Sequence, residues 1–257
     1  MSDVVFTNKQ KKAIYLLAYV FASCLVIYVL QPTYIISLFL VIVPPSIINF
    51  LWIKKSRWKI FFFSLITLIL FAPPVEIMTR LTNSWDVQSI LPRPFGLIPL
   101  ENMLFGFFNI LWPLSFYEFF VDKDRTKVIS KKLKYLVALY CLLSIIVYTL
   151  FYWNKKLISI DYIVASIPIL IIPSLIIFTK NPKILRKVFL TTVFFAIVHF
   201  TFEMFAMKIG NWWWPSEYLH TFNISGMVYP LDDAIVWFLL STPTLIGGYE
   251  FFVDDNK

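Results

Sequence analysis

Six glycines in 257 residues, two cysteines, two histidines and a 15% share of charged residues rule out several chemistries at once. Glycine this scarce leaves no glycine-rich turn to cradle a dinucleotide or a phosphate, so no nucleotide cofactor is expected. The sequence holds no H-x-x-x-H, no paired C-x-x-C and no G-x-S-x-G elbow. Neither a metal centre nor an activated serine is therefore expected. Cys24 and Cys141 both fall among apolar residues and read as small buried hydrophobes. Aspartate-rich runs of the kind that hold diphosphates are missing too.

Apolar side chains make up 59% of the chain, 19% of its residues are aromatic, and the mean hydropathy is +0.76. A soluble domain of this size needs more polar surface. Stretches of about 18 or more apolar residues recur, each long enough to cross a hydrocarbon core of about 30 Å. The short alternating segments of a membrane β-barrel are absent, which leaves helices to satisfy the backbone in lipid. The expected fold is all-α, with transmembrane helices over 13–30, 34–53, 58–79, 100–121, 133–152, 158–179, 184–207 and 231–253.

The net charge of +8 is placed as membrane proteins place theirs. The amino-terminal segment, the loops at 54–59, 123–134 and 180–187, and Lys257 hold 18 of the 23 basic residues. That pattern marks orientation, with the bilayer and not nucleic acid as partner, and the positive-inside rule puts both termini in the cytoplasm. Lys9, Lys11 and Lys12 precede the first span, which lacks a small-residue cleavage site and reads as an uncleaved anchor.

The chain also resembles itself. Tyr15-Leu16-Leu17-Ala18 matches Tyr135-Leu136-Val137-Ala138, and the hexapeptide at 117–122 recurs unchanged at 249–254. Between these, Pro45-Ser46-Ile47-Ile48 answers Pro173-Ser174-Leu175-Ile176, and Pro99-Leu100-Glu101-Asn102 answers Pro230-Leu231-Asp232-Asp233. Glu76 stands nine residues before Trp85, as Glu203 does before Trp212. An ordered set of matches implies two tandem four-span units, 1–128 and 129–257. An even number of spans per unit makes the copies parallel, related by an axis along the membrane normal.

Ionisable groups at membrane depth cost about 2.5–3.5 kcal/mol each and usually mark function. Four carboxylates, Glu76, Glu101, Glu203 and Asp232, are expected at one depth near the outward ends of spans. Glu101 and Asp232 open helices after Pro99 and Pro230, where the helix start favours the anion. Glu76 and Glu203 lack that effect and are the better candidates for proton donors. Glu76 could instead pair with Arg80 at i,i+4, although Glu203 faces Met207 at that spacing. His199, one turn before Glu203, is a proton partner, an orienting group or a plain core residue. Asn102 and Asp233 read as capping groups or as site residues. Trp85 and Trp212, as well as belonging to an interfacial belt, can stabilise a cation through their faces. Glu118 and Glu250, about 26 Å away along their helices, are expected to partner the basic loops.

At these residues the sequence resembles the lycopene cyclase domain family, small membrane cyclases that occur as heterodimer subunits or as tandem fusions. The resemblance rests on Glu76…Trp85, Phe95-Gly96-Leu97-Ile98-Pro99-Leu100-Glu101-Asn102 and Tyr117-Glu118, repeated at Glu203…Trp212, Pro230-Leu231-Asp232-Asp233 and Tyr249-Glu250. It spans nearly the whole chain. Asn102 stands where that family usually has a second acid, Asp232 where it has glutamate, and Glu76 where aspartate is common. The resemblance implies flavin-independent cyclisation of a linear carotene end, with no cofactor, a polyene substrate and contacts with other carotenoid-pathway enzymes. Glu76 or Glu203 would be the acid, and Glu101 or Asp232 the base or hydrogen-bonding partner. A hydratase or isomerase on the same scaffold and a proton-coupled transporter are the alternatives.

Overall fold

A computed structural model of the chain describes residues 7–254. Among them are eight helices long and apolar enough to cross a membrane. They are α1 (Asn8–Leu30), α2 (Tyr34–Trp52), α3 (Arg57–Leu81), α4 (Leu100–Asp122), α5 (Leu133–Trp153), α6 (Ile163–Lys180), α7 (Pro182–Lys208) and α8 (Leu231–Phe252). The protein is a helical, multi-pass membrane protein. Large apolar side chains such as Leu25, Val29, Leu139, Ile145, Leu175 and Phe189 stay exposed on the helices, as they can where the surroundings are lipid.

Two helix starts differ from the sequence expectation, for local reasons. The first span opens earlier, because Thr7 and Gln10 form a reciprocal capping box that begins the helix in the polar segment. The sixth opens later, because a 3-10 turn at Lys155–Leu157 and extended residues precede it.

The helices α4 and α7 are the most enclosed, with 56% and 50% of their apolar windows buried. They form the centre. Helix α1 packs on α7 and α5 on α3; α2 packs on α4 and α6 on α8; α3 meets α4, α7 meets α8, and α4 meets α8.

Prolines interrupt five of the eight spans, and in two of them the carbonyl left without its N–H is met from a neighbouring helix. Pro44 and Pro74 lack the N–H that would bond to the carbonyls of Leu40 and Leu70. The Tyr19 hydroxyl of α1 donates to Leu40 O at 2.8 Å, and the Ser144 hydroxyl of α5 donates to Leu70 O at 2.5 Å. In α4, α6 and α8 the backbone widens into π-helical stretches at Tyr117–Asp122, Ile167–Ile171 and Ala234–Ser241, close to Pro113, Pro168 and Pro243. Ser144→Ala should lower the unfolding free energy by about 1–3 kcal/mol, the cost of a buried carbonyl left unpaired. A melting temperature in detergent equal to that of the parent protein would show that the carbonyl finds another donor.

The all-α expectation needs one correction. The loops after α3 and α7 contain short antiparallel ribbons: β1 (Asp86–Val87) with β2 (Trp212–Trp213), and β3 (Thr221–Ile224) with β4 (Met227–Pro230). The β3–β4 turn is Ser225-Gly226, with φ of 53° and 83°, the left-handed pair that a two-residue hairpin needs. Hydropathy cannot reveal ribbons of two to four residues that cap helices.

At the opposite end of the bundle, α4 and α8 exchange contacts. The Tyr117 hydroxyl donates to Glu250 at 2.7 Å and the Tyr249 hydroxyl to Glu118 at 2.6 Å. Lys59 lies 2.9 Å from Asp254 and 3.5 Å from Glu118, and Lys187 lies 2.9 Å from Asp122. Of the expected loop partnerships, Lys59 does meet Glu118, while Glu250 accepts its hydrogen bond from a helix tyrosine.

Next to this network Asp124 accepts from the N–H groups of Lys54, Lys55 and Ser56 and from the Ser56 hydroxyl, at 2.7–3.0 Å. Burial disfavours its charge, but these donors outweigh burial and hold the carboxyl below its ordinary 3.8. The folded value lies below the unfolded one, so the anion stabilises the fold above that unfolded value. The contribution fades as pH falls through the folded value. Asp124→Asn should lose it at neutral pH and show a flatter acid limb in melting temperature against pH. Parallel curves for variant and parent would refute this.

Candidate functional site

Glu76 lies in the last turns of α3, 6% exposed. Arg80, one turn on, places Nε 3.3 Å from its Oε2, and the Asn102 side-chain amide donates to Oε1. The i,i+4 pairing foreseen as the bland alternative is therefore present. The same guanidinium reaches Trp85 O at 2.5 Å and Asp86 Oδ1 at 2.6 Å, which ties the helix end to β1. Asn102 in turn accepts from the Tyr34 hydroxyl at 3.4 Å. Both side chains bonded to Glu76 are donors, the arrangement that suits an anion.

Glu203 of α7 sits in different surroundings. The Tyr229 hydroxyl lies 3.0 Å from its Oε2 and 2.5 Å from Asp233 Oδ2, and all three residues are no more than 3% exposed. The ribbon explains the placement: Tyr229 pairs with Phe222 at the foot of β4, directly before α8, so its ring turns inward over Glu203. Burial, then the charges of Glu203 and Asp233, raise the phenol well above its ordinary value. A neutral phenol has one proton to donate. Two carboxyl groups around one hydroxyl compete for that proton, an arrangement that can accommodate one more.

Glu101 and Asp232, expected as base or hydrogen-bonding partner, point elsewhere. Glu101 accepts from the N–H groups of Ile90 and Leu91 at 2.7 Å and from the Ser89 hydroxyl at 2.8 Å. Asp232 accepts from Leu219 N at 2.9 Å. Both hold the preceding loops onto the helix starts. Asp232 also borders a cleft of about 220 Å³ with Asp161, Ser216 and Tyr218, which does not reach Glu76 or Glu203. The neighbours Asn102 and Asp233, and not these two, meet the interior acids.

Between the acid groups lie aromatic rings. Trp85 stacks on Trp212 at 6.5 Å and 17°, placed by the β1–β2 pairing, and Trp214 closes on Trp212 at 5.8 Å. Phe105 and Tyr34 contact Trp212 at 5.6 and 6.0 Å. Tyr34 donates to Asn102 beside Glu76, and Phe105 contacts Phe202, the residue before Glu203, at 5.9 Å, so the acids contributed by α3 and α7 flank one aromatic core. His199 lies 5.8 Å from Trp237 and 5.6 Å from Phe195, ring to ring.

No family model, no curated protein and no solved structure matches this chain. The site therefore has to be judged on its own chemistry. The group of described residues that could hold a metal ion is Glu118, Asp122 and Asp254, with carboxylate oxygens within 4.8 Å of one another. The ammonium of Lys59, 2.9 Å from Asp254, already supplies a cation there.

Sequence reasoning missed Tyr229, Tyr34 and the second role of Arg80. A signal for the first was present: Tyr229 precedes Pro230-Leu231-Asp232-Asp233, whereas Ile98 precedes the matching Pro99. It is one of the positions at which the two segments differ in hydrogen-bonding capacity. Tyr34 carried no such mark, being one aromatic residue at the start of an apolar run.

Proposed function

We propose that the chain is a membrane-embedded enzyme of the lycopene cyclase kind, which closes rings on the ends of linear carotenoids by proton transfer. The observation that carries this reading is the contrast between the two interior acids. Glu203 meets a second carboxyl group, Asp233, across the Tyr229 hydroxyl, while Glu76 is bonded by donors. One is supplied as an acid and the other as a base.

In the proposed reaction a carboxyl proton from the Glu203–Asp233 pair adds to the terminal double bond and leaves a tertiary cation. The electron pair of a nearby double bond forms the new ring bond and moves the positive charge into the ring. Glu76 accepts a proton from an adjacent carbon as the double bond re-forms. Atoms and electrons balance without a redox partner. The indole faces of Trp85 and Trp212 would stabilise the charge in transit, and the apolar surroundings keep water from capturing it. Glu101 and Asp232 become positioning residues that fix the helix starts carrying Asn102 and Asp233.

In the same reading the chain is two copies of one four-helix unit. The helix pairings come in equivalents, α1–α7 with α5–α3, α2–α4 with α6–α8, and α3–α4 with α7–α8. The crossed bonds Tyr117–Glu250 and Tyr249–Glu118 fit a two-fold between the copies. Charge placement then puts both termini, and the Lys59–Asp254 network, on the cytoplasmic side. The test is pigment chromatography of lycopene-producing cells expressing the chain. Cyclic end groups support the reading; unchanged lycopene from folded, membrane-inserted protein ends it.

The buried carboxylates at both ends of the bundle also suit a proton-coupled transporter. Proton flux in proteoliposomes, with cellular pigments unchanged, would favour that reading over catalysis.

A further inference from the structure

A run of buried donors beside the acid pair has no hydrogen-bond partner among the described residues. His199 is 2% exposed and neither ring nitrogen is hydrogen-bonded. The indole nitrogens of Trp237, Trp212 and Trp214 are likewise buried and unbonded. These groups form one continuous surface: His199 on Trp237 at 5.8 Å, Trp237 on Phe105 at 6.2 Å, Phe105 on Trp212 at 5.6 Å, and Trp212 on Trp214 at 5.8 Å.

An indole N–H can only donate, and an imidazole has at least one N–H in either protonation state. Asn49 and Asn109 also have unbonded side-chain amides, but an amide both donates and accepts and can be satisfied by a single water or by small shifts. Four N–H donors along one apolar wall call for an acceptor brought from outside. A hydrocarbon polyene has none, and each buried donor it left unpaired would cost about 1–3 kcal/mol. Helix α7 places His199 four residues, about 6 Å along the axis, from Glu203.

We infer that this surface binds a polyene with an oxygen acceptor, a hydroxyl or a carbonyl, close to the end that meets Glu203. The inference rests on the cyclase reading for the polyene itself and adds the oxygen. Aromatic faces hold the chain; His199 and Trp237 hold the oxygen; the flanking indoles exclude isomers whose oxygen sits further along. A two-donor site of this kind discriminates against the analogue that lacks the oxygen more sharply than an apolar wall can.

The test titrates the purified full chain, in lipid nanodiscs, with a linear hydrocarbon polyene and with the same polyene bearing a terminal hydroxyl, read by tryptophan quenching. The hydroxylated probe should bind at least about tenfold more tightly. Trp237→Phe keeps an aromatic ring and removes the N–H; His199→Phe keeps the bulk and removes both nitrogens. Each should cut the preference, read as the ratio of the two affinities, to below about threefold. Equal affinity of the parent protein for the two probes, or a preference that survives in both variants, overturns the inference and assigns the donors to water. Binding is read without turnover. A preference without ring formation therefore sinks only the cyclase reading, and ring formation without a preference sinks only this one.

Discussion

Replacing Glu203 with glutamine should reduce ring formation in lycopene-producing cells by about a hundredfold or more, the usual contribution of a positioned general acid. The amide would still fill the space and could still accept from Tyr229, so the fold should survive. What goes is the shared proton, because an amide cannot carry it to the substrate. Glu101→Gln is the informative control. Its carboxylate accepts from Ser89, Ile90 and Leu91, and an amide oxygen can keep part of that set. Cyclisation should therefore fall with the amount of folded protein and no further. If Glu101→Gln abolishes ring closure at normal protein levels while Glu203→Gln leaves it intact, the roles assigned to the two acids are reversed.

The helices were legible because lipid makes few demands on sequence beyond length and hydropathy, and all eight spans are present, with only the starts of the first and sixth markedly displaced, each by five residues. Where each acid points was not legible. Glu101 looked like an interior residue from its place at a helix start, yet two of its partners are backbone N–H groups, which no side-chain pattern records. The repairs at Leu40 and Leu70 come from Tyr19 and Ser144, on helices that only the tertiary fold brings alongside. Tyr229 lay hidden because an aromatic residue near a membrane surface is ordinarily read as part of the belt. A ribbon of four residues was needed to turn it inward.

The same comparison shows how two similar segments come to hold unlike acids. Position by position, Arg80 corresponds to Met207, Asn102 to Asp233 and Ile98 to Tyr229. Three substitutions change a site of donors around a carboxylate into one in which a hydroxyl is shared between two carboxyl groups. The glutamates themselves do not change. What differs is what surrounds them.

Arg80→Met therefore tests the ionic half of the site on its own. The guanidinium-bearing residue is 8% exposed and holds Glu76, Asp86 and the Trp85 carbonyl together. Removing one partner of a buried pair usually costs about 3–5 kcal/mol, because the remaining charge keeps its burial and loses its compensation. Arg93 still reaches Asp86 at 3.1 Å, so most of the loss should fall on Glu76. The expected result is a clearly lower melting temperature in detergent. Met207 stands at that spacing from Glu203 in the second segment, where the Tyr229 hydroxyl and Asp233 take the place of the ion pair and, in the proposed reading, hold a proton with the acid. Adding Ile98→Tyr and Asn102→Asp to Arg80→Met should then restore part of the stability by building a second proton-sharing triad. It should not restore cyclisation, since both acids would then hold protons and neither would accept one. A triple variant no more stable than Arg80→Met would show that the neighbours alone do not decide the state of the glutamate.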